Sequence, residues 1–268
     1  MSECYKQLYI YNSELLDAST FDDSILDKEK IVYEVIRVIN GKAFKLEDNH
    51  NRIIKSLEIS GLDHSLSLEK MTKEVENLIV SNKVTEGNIK YLIYKEGQEL
   101  SFMVFFIRHY YPSIAQRTNG VKTVSLRAER KIPNAKLVNK SLRSRANSII
   151  ANEDVFEVIL IDSEGCATEG SRSNLFFVKD SVVYTASDET VLRGTARKRA
   201  IEICNNANIS LVRLKVSELD FMNYDAAFLT GTSLGILPIA KIDNITFNAA
   251  NKIVIMLQKA YQDLLVNI

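Results

Sequence analysis

Helical and strand spacings follow one another along this chain without the regular alternation that a parallel barrel requires, and that irregularity does most to limit the fold. Ile31-Val32-Tyr33-Glu34-Val35-Ile36-Arg37-Val38 is rich in β-branched and aromatic residues and runs into Asn40-Gly41, which predicts a strand and a hairpin turn. Ile53, Ile54 and Leu57 then recur at helical spacing up to Gly61, and Leu68, Met71, Val75, Leu78 and Ile79 mark a second amphipathic helix. Strands are expected from Tyr91 to Tyr94 and from Ser101 to Ile107. The second half is richer in sheet: Val155 to Asp162, Asn174 to Val178 and Val182 to Thr185 read as strands, with Ser163-Glu164-Gly165 as a turn. Helices are expected from Thr195 to Asn206 and from Asn248 to Leu265. The fold class is therefore mixed α/β (α+β). Pro112 and the polar residues after it end the apolar periodicity, which predicts a small N-terminal α/β domain over 1–112, a linker over 113–119 and a larger sheet-rich C-terminal domain over 120–268.

At 268 residues the chain is long enough to bury a substantial core. Its 34 basic and 34 acidic residues cancel, so no strong field recruits nucleic acid or an anionic membrane. The expected partner is a small molecule or another protein chain. Cys4, Cys166 and Cys204 lie far apart in no metal-ligand spacing, and an odd count fits a reducing compartment. With no basic-plus-apolar leader and no window of about 20 apolar residues, the reading is cytoplasmic. Neither a phosphate loop ending in Lys-Ser/Thr nor His-Glu-x-x-His nor Cys-x-x-Cys occurs. A metal or triad site would have to be assembled from the scattered His50, His64 and His109, so no metal is expected.

The informative stretch is Ala167-Thr168-Glu169-Gly170-Ser171-Arg172-Ser173-Asn174-Leu175-Phe176-Phe177, in which an acid reaches a Gly-containing bend beside small hydroxylated residues. Upstream lies Pro133-Asn134-Ala135-Lys136-Leu137-Val138-Asn139, and three further segments keep a fixed order with these two: Asn49 to Ser56, Leu192-Arg193-Gly194-Thr195-Ala196-Arg197, and Thr230-Gly231-Thr232-Ser233 before Pro238. Together they resemble the fold-type IV pyridoxal 5′-phosphate (PLP) enzymes, the family of branched-chain and D-amino acid aminotransferases and of aminodeoxychorismate lyase. The resemblance runs from the Tyr33 strand to Pro238. It implies a two-domain fold whose C-terminal domain carries the PLP lysine, and a homodimer with sites near the subunit interface.

By the same resemblance Lys136, in its Lys-x-x-Asn context, forms the Schiff base, with Lys140 as the less well spaced competitor. Glu169 pairs with the pyridine nitrogen, a role in which an ionised carboxylate keeps that nitrogen protonated and lets the ring accept electrons. Asn174 completes the Glu-Gly-Ser-x-x-Asn motif. Arg52 grips the cofactor phosphate, for which a guanidinium fork is suited. The family's His three residues before that Arg is Asn49 here, and His50 stands one place late. Leu192, Gly194, Thr195 and Ala196 match a helix N-terminus that binds phosphate through free N–H groups, with Ala196 in place of a Thr. Thr232 and Ser233 match the third loop, which serves both phosphate and substrate carboxylate.

Tyr33, Val35 and Arg37 alternate along their strand and so share one face, the substrate face of the family. Val32-Tyr33-Glu34-Val35 resembles the D-amino acid enzymes more than the branched-chain ones, yet Tyr91 to Phe102 lacks their Arg-x-His carboxylate trap. The implied reaction is transamination between an amino acid and a 2-oxo acid. The alternatives are a lyase that releases pyruvate and a PLP-binding protein without turnover; the amino acid and its stereochemistry stay open.

Overall fold

A computed structural model describes residues 2–62 and 65–266 and divides the chain into two compact units; His64 lies outside the described residues. The first unit comprises the residues up to Tyr110 together with Ala135–Val138, and the second comprises Tyr111–Asn134 and the chain from Asn139 onward.

The first unit is built on β1 (Leu8–Tyr11), β2 (Glu14–Asp17), β3 (Ile31–Ile39), β4 (Lys42–Ala43), α1 (Leu46–Ile59), α2 (Leu68–Ser81), β5 (Gly87–Glu96) and β6 (Glu99–Ile107). The strands form one antiparallel sheet in the order β2-β1-β6-β5-β3-β4. Period-two alternation decides which face each β3 residue takes. Val32, Ile36 and Val38 are buried with Ile53 and Leu57 of α1 and Met71, Val75 and Leu78 of α2, whereas Ile31 and Tyr33 join Tyr94, Met103 and Phe105 on the other face. Ser67 caps α2 by accepting from the Lys70 amide at 3.1 Å.

The second unit contains α3 (Ile114–Asn119), β7 (Val121–Arg127), α4 (Lys140–Glu153), β8 (Glu157–Ile161), β9 (Cys166–Gly170), β10 (Asn174–Lys179), β11 (Val182–Thr185), α5 (Thr195–Asn206), β12 (Leu211–Arg213), β13 (Val216–Ser217), β14 (Ala226–Gly231), β15 (Gly235–Ile242), β16 (Ile245–Thr246) and α6 (Lys252–Val266). Six of its strands close a circuit, β10-β14-β15-β7-β8-β9 and back to β10, sealed where Asn174 pairs with Glu169. All six contribute one alternating face to a shared core, including Val121, Ile159, Ala167, Phe177, Leu229 and Leu237. On the opposite face Phe176, Val178 and Phe228 pack with Ala196 and Ala200 of α5 and Val254 and Leu257 of α6.

Several elements differ from the expectations above. The segment 113–119 carries α3, where Ser113 and Gln116 form a reciprocal capping box, so a span read as linker has its own helical turn. Helix α4 went unread because only Leu142 and Ala146 of it are buried, too few for a periodic signal. Helix α6 starts at Lys252, not Asn248, because Asn248 and Asn251 accept the amides of Ala250 (3.0 Å) and Ile253 (2.9 Å) in local turns. Lys136 packs with the first unit, since Ala135–Val138 runs beside β3: the Tyr33 amide donates to the Lys136 carbonyl and the Val138 amide to the Ile31 carbonyl, both at 3.0 Å.

Candidate active site

In the first unit the Lys136 ammonium lies 4.7 Å from the centroid of the Tyr33 ring, close enough for cation–π attraction. The Lys136 amide donates to Ser56 Oγ on α1 at 3.0 Å, so the backbone on both sides of this lysine is fastened to the unit. Lys140, four residues on, is exposed at the start of α4. Asn139 of the Lys-x-x-Asn run caps that helix by accepting from the Leu142 amide at 3.0 Å.

Tyr33, Val35 and Arg37 are half-buried on one face, and Glu34 is fully buried on the other. Arg52 is forked onto Glu34: Nε donates to Oε1 at 2.6 Å and Nη2 to Oε2 at 2.5 Å. Burial alone would push the Arg52 guanidinium down, but the charge and hydrogen bonds of Glu34 more than offset this and raise it. Asn49, where the family has His, also serves Glu34, with Nδ2 donating to Oε2 at 2.7 Å. His50 is instead directed to the Leu66 carbonyl at 3.0 Å from its Nε2. Register places Lys90 of β5 opposite Val35, and its ammonium lies 5.4 Å from the Tyr33 ring while pairing with Glu3.

In the second unit a β-bulge aims Glu169. The span Ile159 to Ile161 of β8 faces Gly170 to Ala167 of β9, one residue more, so the side chain of Glu169 turns from the interior face of Ala167 to the face of Asn174. Glu169 is 2% exposed. Arg130 Nε donates to its Oε1 at 2.7 Å; Asn174 Nδ2 (3.1 Å) and the Leu192 amide (3.2 Å) donate to its Oε2. The same Asn174 amide donates to the Leu192 carbonyl at 2.8 Å, and the Gly194 amide closes a turn onto that carbonyl at 2.8 Å. Glu169, Asn174, Leu192 and Gly194, widely spaced in sequence, thus form one hydrogen-bonded cluster leading directly into Thr195 and Ala196 at the start of α5.

Gly194 is required there: a Cβ would sit 2.2 Å from Asn174 Oδ1. As N-cap, Gly194 offers no side chain to the first turn of α5, and among the described residues no side chain caps that turn. Thr230, paired in register with Asn174 on the same face, has a fully buried hydroxyl with no hydrogen-bond partner among the described residues. Thr232 and Ser233, just beyond it, are half-buried in the turn between β14 and β15, where the Leu234 amide donates to the Gly231 carbonyl at 3.1 Å. Uncapped amides and an orphaned hydroxyl fit an oxyanion-bearing group, and a buried carboxylate fits a protonated ring nitrogen.

Glu34, Arg130 and Glu157 escaped the sequence reading, and Thr230 entered it only as the first residue of the third loop, with no role of its own. Glu157 is fully buried and holds the bend after Glu169, accepting from Ser171 Oγ (2.6 Å), Ser173 Oγ (3.0 Å) and the Arg172 amide (3.2 Å). Glu34 had a signal, a charge at an inward position of an alternating strand. Arg130, inside Glu129-Arg130-Lys131, looks like part of a solvated charge run.

The sequence pattern of the family described as Amino-transferase class IV matches residues 31–242, well over half of the chain. The chain belongs to the class IV aminotransferases. This class IV aminotransferase is 29% identical over 226 residues to a probable branched-chain-amino-acid aminotransferase of Rickettsia typhi, covering 79% of this chain and 78% of the relative. It is 28% identical over 264 residues to a D-alanine aminotransferase of Bacillus licheniformis, covering 90% of each. Its fold is similar to that of the T.th. branched-chain amino acid aminotransferase with pyridoxamine 5′-phosphate (TM-score 0.86, 19% identity, 98% of this chain and 95% of that one). It is also similar to that of a putative 4-amino-4-deoxychorismate lyase from Legionella pneumophila (TM-score 0.80, 20% identity, 90% and 93%). No helix among the described residues is long and apolar enough to cross a membrane.

Proposed function

We propose that this class IV aminotransferase binds PLP and moves an amino group between an amino acid and a 2-oxo acid, acting in the cytoplasm as a homodimer. The observation that carries the reading is the second unit's cluster, in which a buried carboxylate, Glu169, is locked beside the uncapped N-terminus of α5 and the orphaned Thr230 hydroxyl. When bound, PLP supplies an electron-accepting ring for the substrate's Cα electrons. Glu169 holds the proton on the ring nitrogen. Asn174 and the Leu192 amide fix the rotation of that carboxylate, and the amides of Thr195 and Ala196 with the Thr232 and Ser233 turn bind phosphate oxygens.

Lys136 is the residue that carries the cofactor and, when neutral, takes the Cα proton at Nζ and returns it. Tyr33 beneath its ammonium limits where Nζ points. Arg52 contributes to phosphate binding through the part of its guanidinium that Glu34 does not hold, so Glu34 and Asn49 orient it. Tyr33, Val35 and Arg37 provide the substrate face, with Thr232 and Ser233 toward the carboxylate.

The test is a donor panel. Purified protein loaded with PLP is offered L- and D-amino acids and followed by absorbance; conversion to the pyridoxamine form with release of a 2-oxo acid supports transamination. Pyruvate release from aminodeoxychorismate without an acceptor supports the lyase, and neither outcome leaves a binding protein. Sedimentation of the active species tests the dimer, which an active monomer would refute.

A further inference from the structure

We propose that Ser56 is a positioning residue whose hydroxyl clamps the backbone of Lys136 to the part of α1 that carries Arg52, and so aims the lysine; this rests on the PLP reading for its purpose, though not for its physical content. The four residues Ala135–Val138 belong to the first unit, while the residues before them, from Tyr111 to Asn134, and those after, from Asn139, belong to the second. So short a stretch has to be fastened through its own backbone. Two of its hydrogen bonds join it to β3, from the Tyr33 amide to the Lys136 carbonyl and from the Val138 amide to the Ile31 carbonyl, both at 3.0 Å. Residues of almost any type could supply these, because they run from backbone to backbone. The Lys136 amide donates instead to a side chain, Ser56 Oγ, at 3.0 Å across 80 positions of sequence.

Ser56 is fully buried, so its hydroxyl needs partners both as donor and as acceptor. It accepts from the Lys136 amide and donates to the Arg52 carbonyl at 2.9 Å. The bond to Arg52 is the ordinary return of a helical serine to the carbonyl four residues back, and by itself it says nothing of function. The bond from Lys136 is long-range, and it ties together the two residues of this unit proposed to hold the cofactor. A residue has two soft dihedrals, with φ setting the peptide plane of its N–H and ψ that of its C=O. Ser56 holds the first of these at Lys136 and β3 holds the second, so the Cα–Cβ bond leaves the chain in one direction. A reacting side chain needs its geometry kept within about 10–20°. What Ser56 holds is the backbone, whatever the ammonium meets. In Ser56→Ala the Lys136 amide loses that acceptor, φ is released and Nζ samples directions away from the cofactor.

The experiment reads hydrogen exchange of the Lys136 amide by NMR, in protein carrying nitrogen-labelled lysine and no PLP, with the resonance assigned by its loss in Lys136→Arg. In Ser56→Ala this amide should exchange about tenfold faster than in the parent, near the upper end of what one hydrogen bond contributes, while the other lysine amides keep their rates. Ser60→Ala is the control. It removes another buried hydroxyl, which donates to the Ser56 carbonyl at 2.6 Å, and should leave the Lys136 amide as protected as in the parent. Ser56→Thr keeps the oxygen and should restore protection; a folded Ser56→Thr protein that exchanges like Ser56→Ala overturns the role of the hydroxyl. If Ser56→Ala does not fold by circular dichroism, Ser56→Cys, whose thiol is a weak acceptor, is read by the same criterion. An unchanged Lys136 rate in folded Ser56→Ala overturns the clamp, and so does an equal loss of protection in Ser60→Ala, which marks a general loosening of the helix. In a second arm, the rate at which PLP becomes fixable to Lys136 by borohydride falls about tenfold or more in Ser56→Ala and recovers in Ser56→Thr. An unchanged rate beside a freed amide overturns the positioning role. A parent that takes up no PLP defeats the functional reading, while amide exchange still decides whether Ser56 holds Lys136.

Discussion

The fork between Arg52 and Glu34 makes a quantitative prediction, because a residue matched to phosphate binding also closes a buried ion pair. Glu34 has no exposed surface, the Arg52 side chain is 9% exposed, and two hydrogen bonds of 2.6 and 2.5 Å join them, with Asn49 adding a third donor. Removing one partner of such a pair strands the other charge in the core, which costs about 3 kcal/mol, whereas removing both leaves no uncompensated charge. Glu34→Gln and Arg52→Met should therefore each lower the thermal midpoint by roughly 6–12 °C, at roughly 2–4 °C per kcal/mol for a chain of this size. The double variant should recover about 2 kcal/mol relative to the sum of the singles. Thermal and urea unfolding followed by circular dichroism measure the cycle. PLP titration separates the roles, since Arg52→Met should weaken cofactor binding more than Glu34→Gln does, with excess PLP restoring part of the activity. Single effects that add within about 0.5 kcal/mol would refute the coupling and make Arg52 a surface-like phosphate ligand.

Lys136→Ala should abolish the covalent PLP adduct that borohydride fixes, and Lys140→Ala should retain it; peptide mapping that finds the adduct on Lys140 reverses the assignment. Glu169→Gln should still bind PLP but slow the half-reaction about a hundredfold, the scale of a lost electrostatic contact of about 3 kcal/mol, and a rate within a few-fold of the parent in stopped-flow absorbance would make the carboxylate structural. Gly194→Ala places a methyl 2.2 Å from Asn174 Oδ1, so it should destabilise the protein by about 1–3 kcal/mol and weaken PLP binding; unchanged unfolding and binding curves would show that Asn174 is free to move. Burial raises the Asp162 carboxyl, but Lys215 at 2.7 Å and the amides of Cys166 and Glu164 hold it below the usual range. Its stabilising contribution is therefore complete above the unfolded value of about 3.9 and is lost as pH falls through the lower folded value. Asp162→Asn should flatten the acid limb of a stability–pH profile, and an unaltered limb would contradict that assignment.

The segments that the sequence singled out as candidate site are each local in sequence. Glu169, Gly170 and Asn174 lie within one bend, and Leu192 to Ala196 form the entry to one helix, so each is a short motif, and it was their order together that carried the family resemblance by which both segments were marked. The alternation that put Tyr33, Val35 and Arg37 on one face of β3 is a two-residue period that any strand imposes. Helix α5 was read at its observed bounds because Gly194 precedes a run with its own apolar stripe. What sequence did not carry were the encounters between distant segments. Nothing near Arg130 announces that Glu169, 39 positions away, will be its partner, and nothing near Glu34 announces Arg52. The β9 bulge that turns Glu169 toward Asn174 exists only because β8 pairs with β9 in a shifted register, and the orphaned state of the Thr230 hydroxyl exists only once β14 lies against β10. Sequence determined the local elements, through residue type, period and turn chemistry, and the order of its short motifs carried the family resemblance that named candidate residues. Tertiary structure decided which charges face each other, because a buried ion pair depends on separation in space and on exclusion of water, and neither is encoded in distance along the chain.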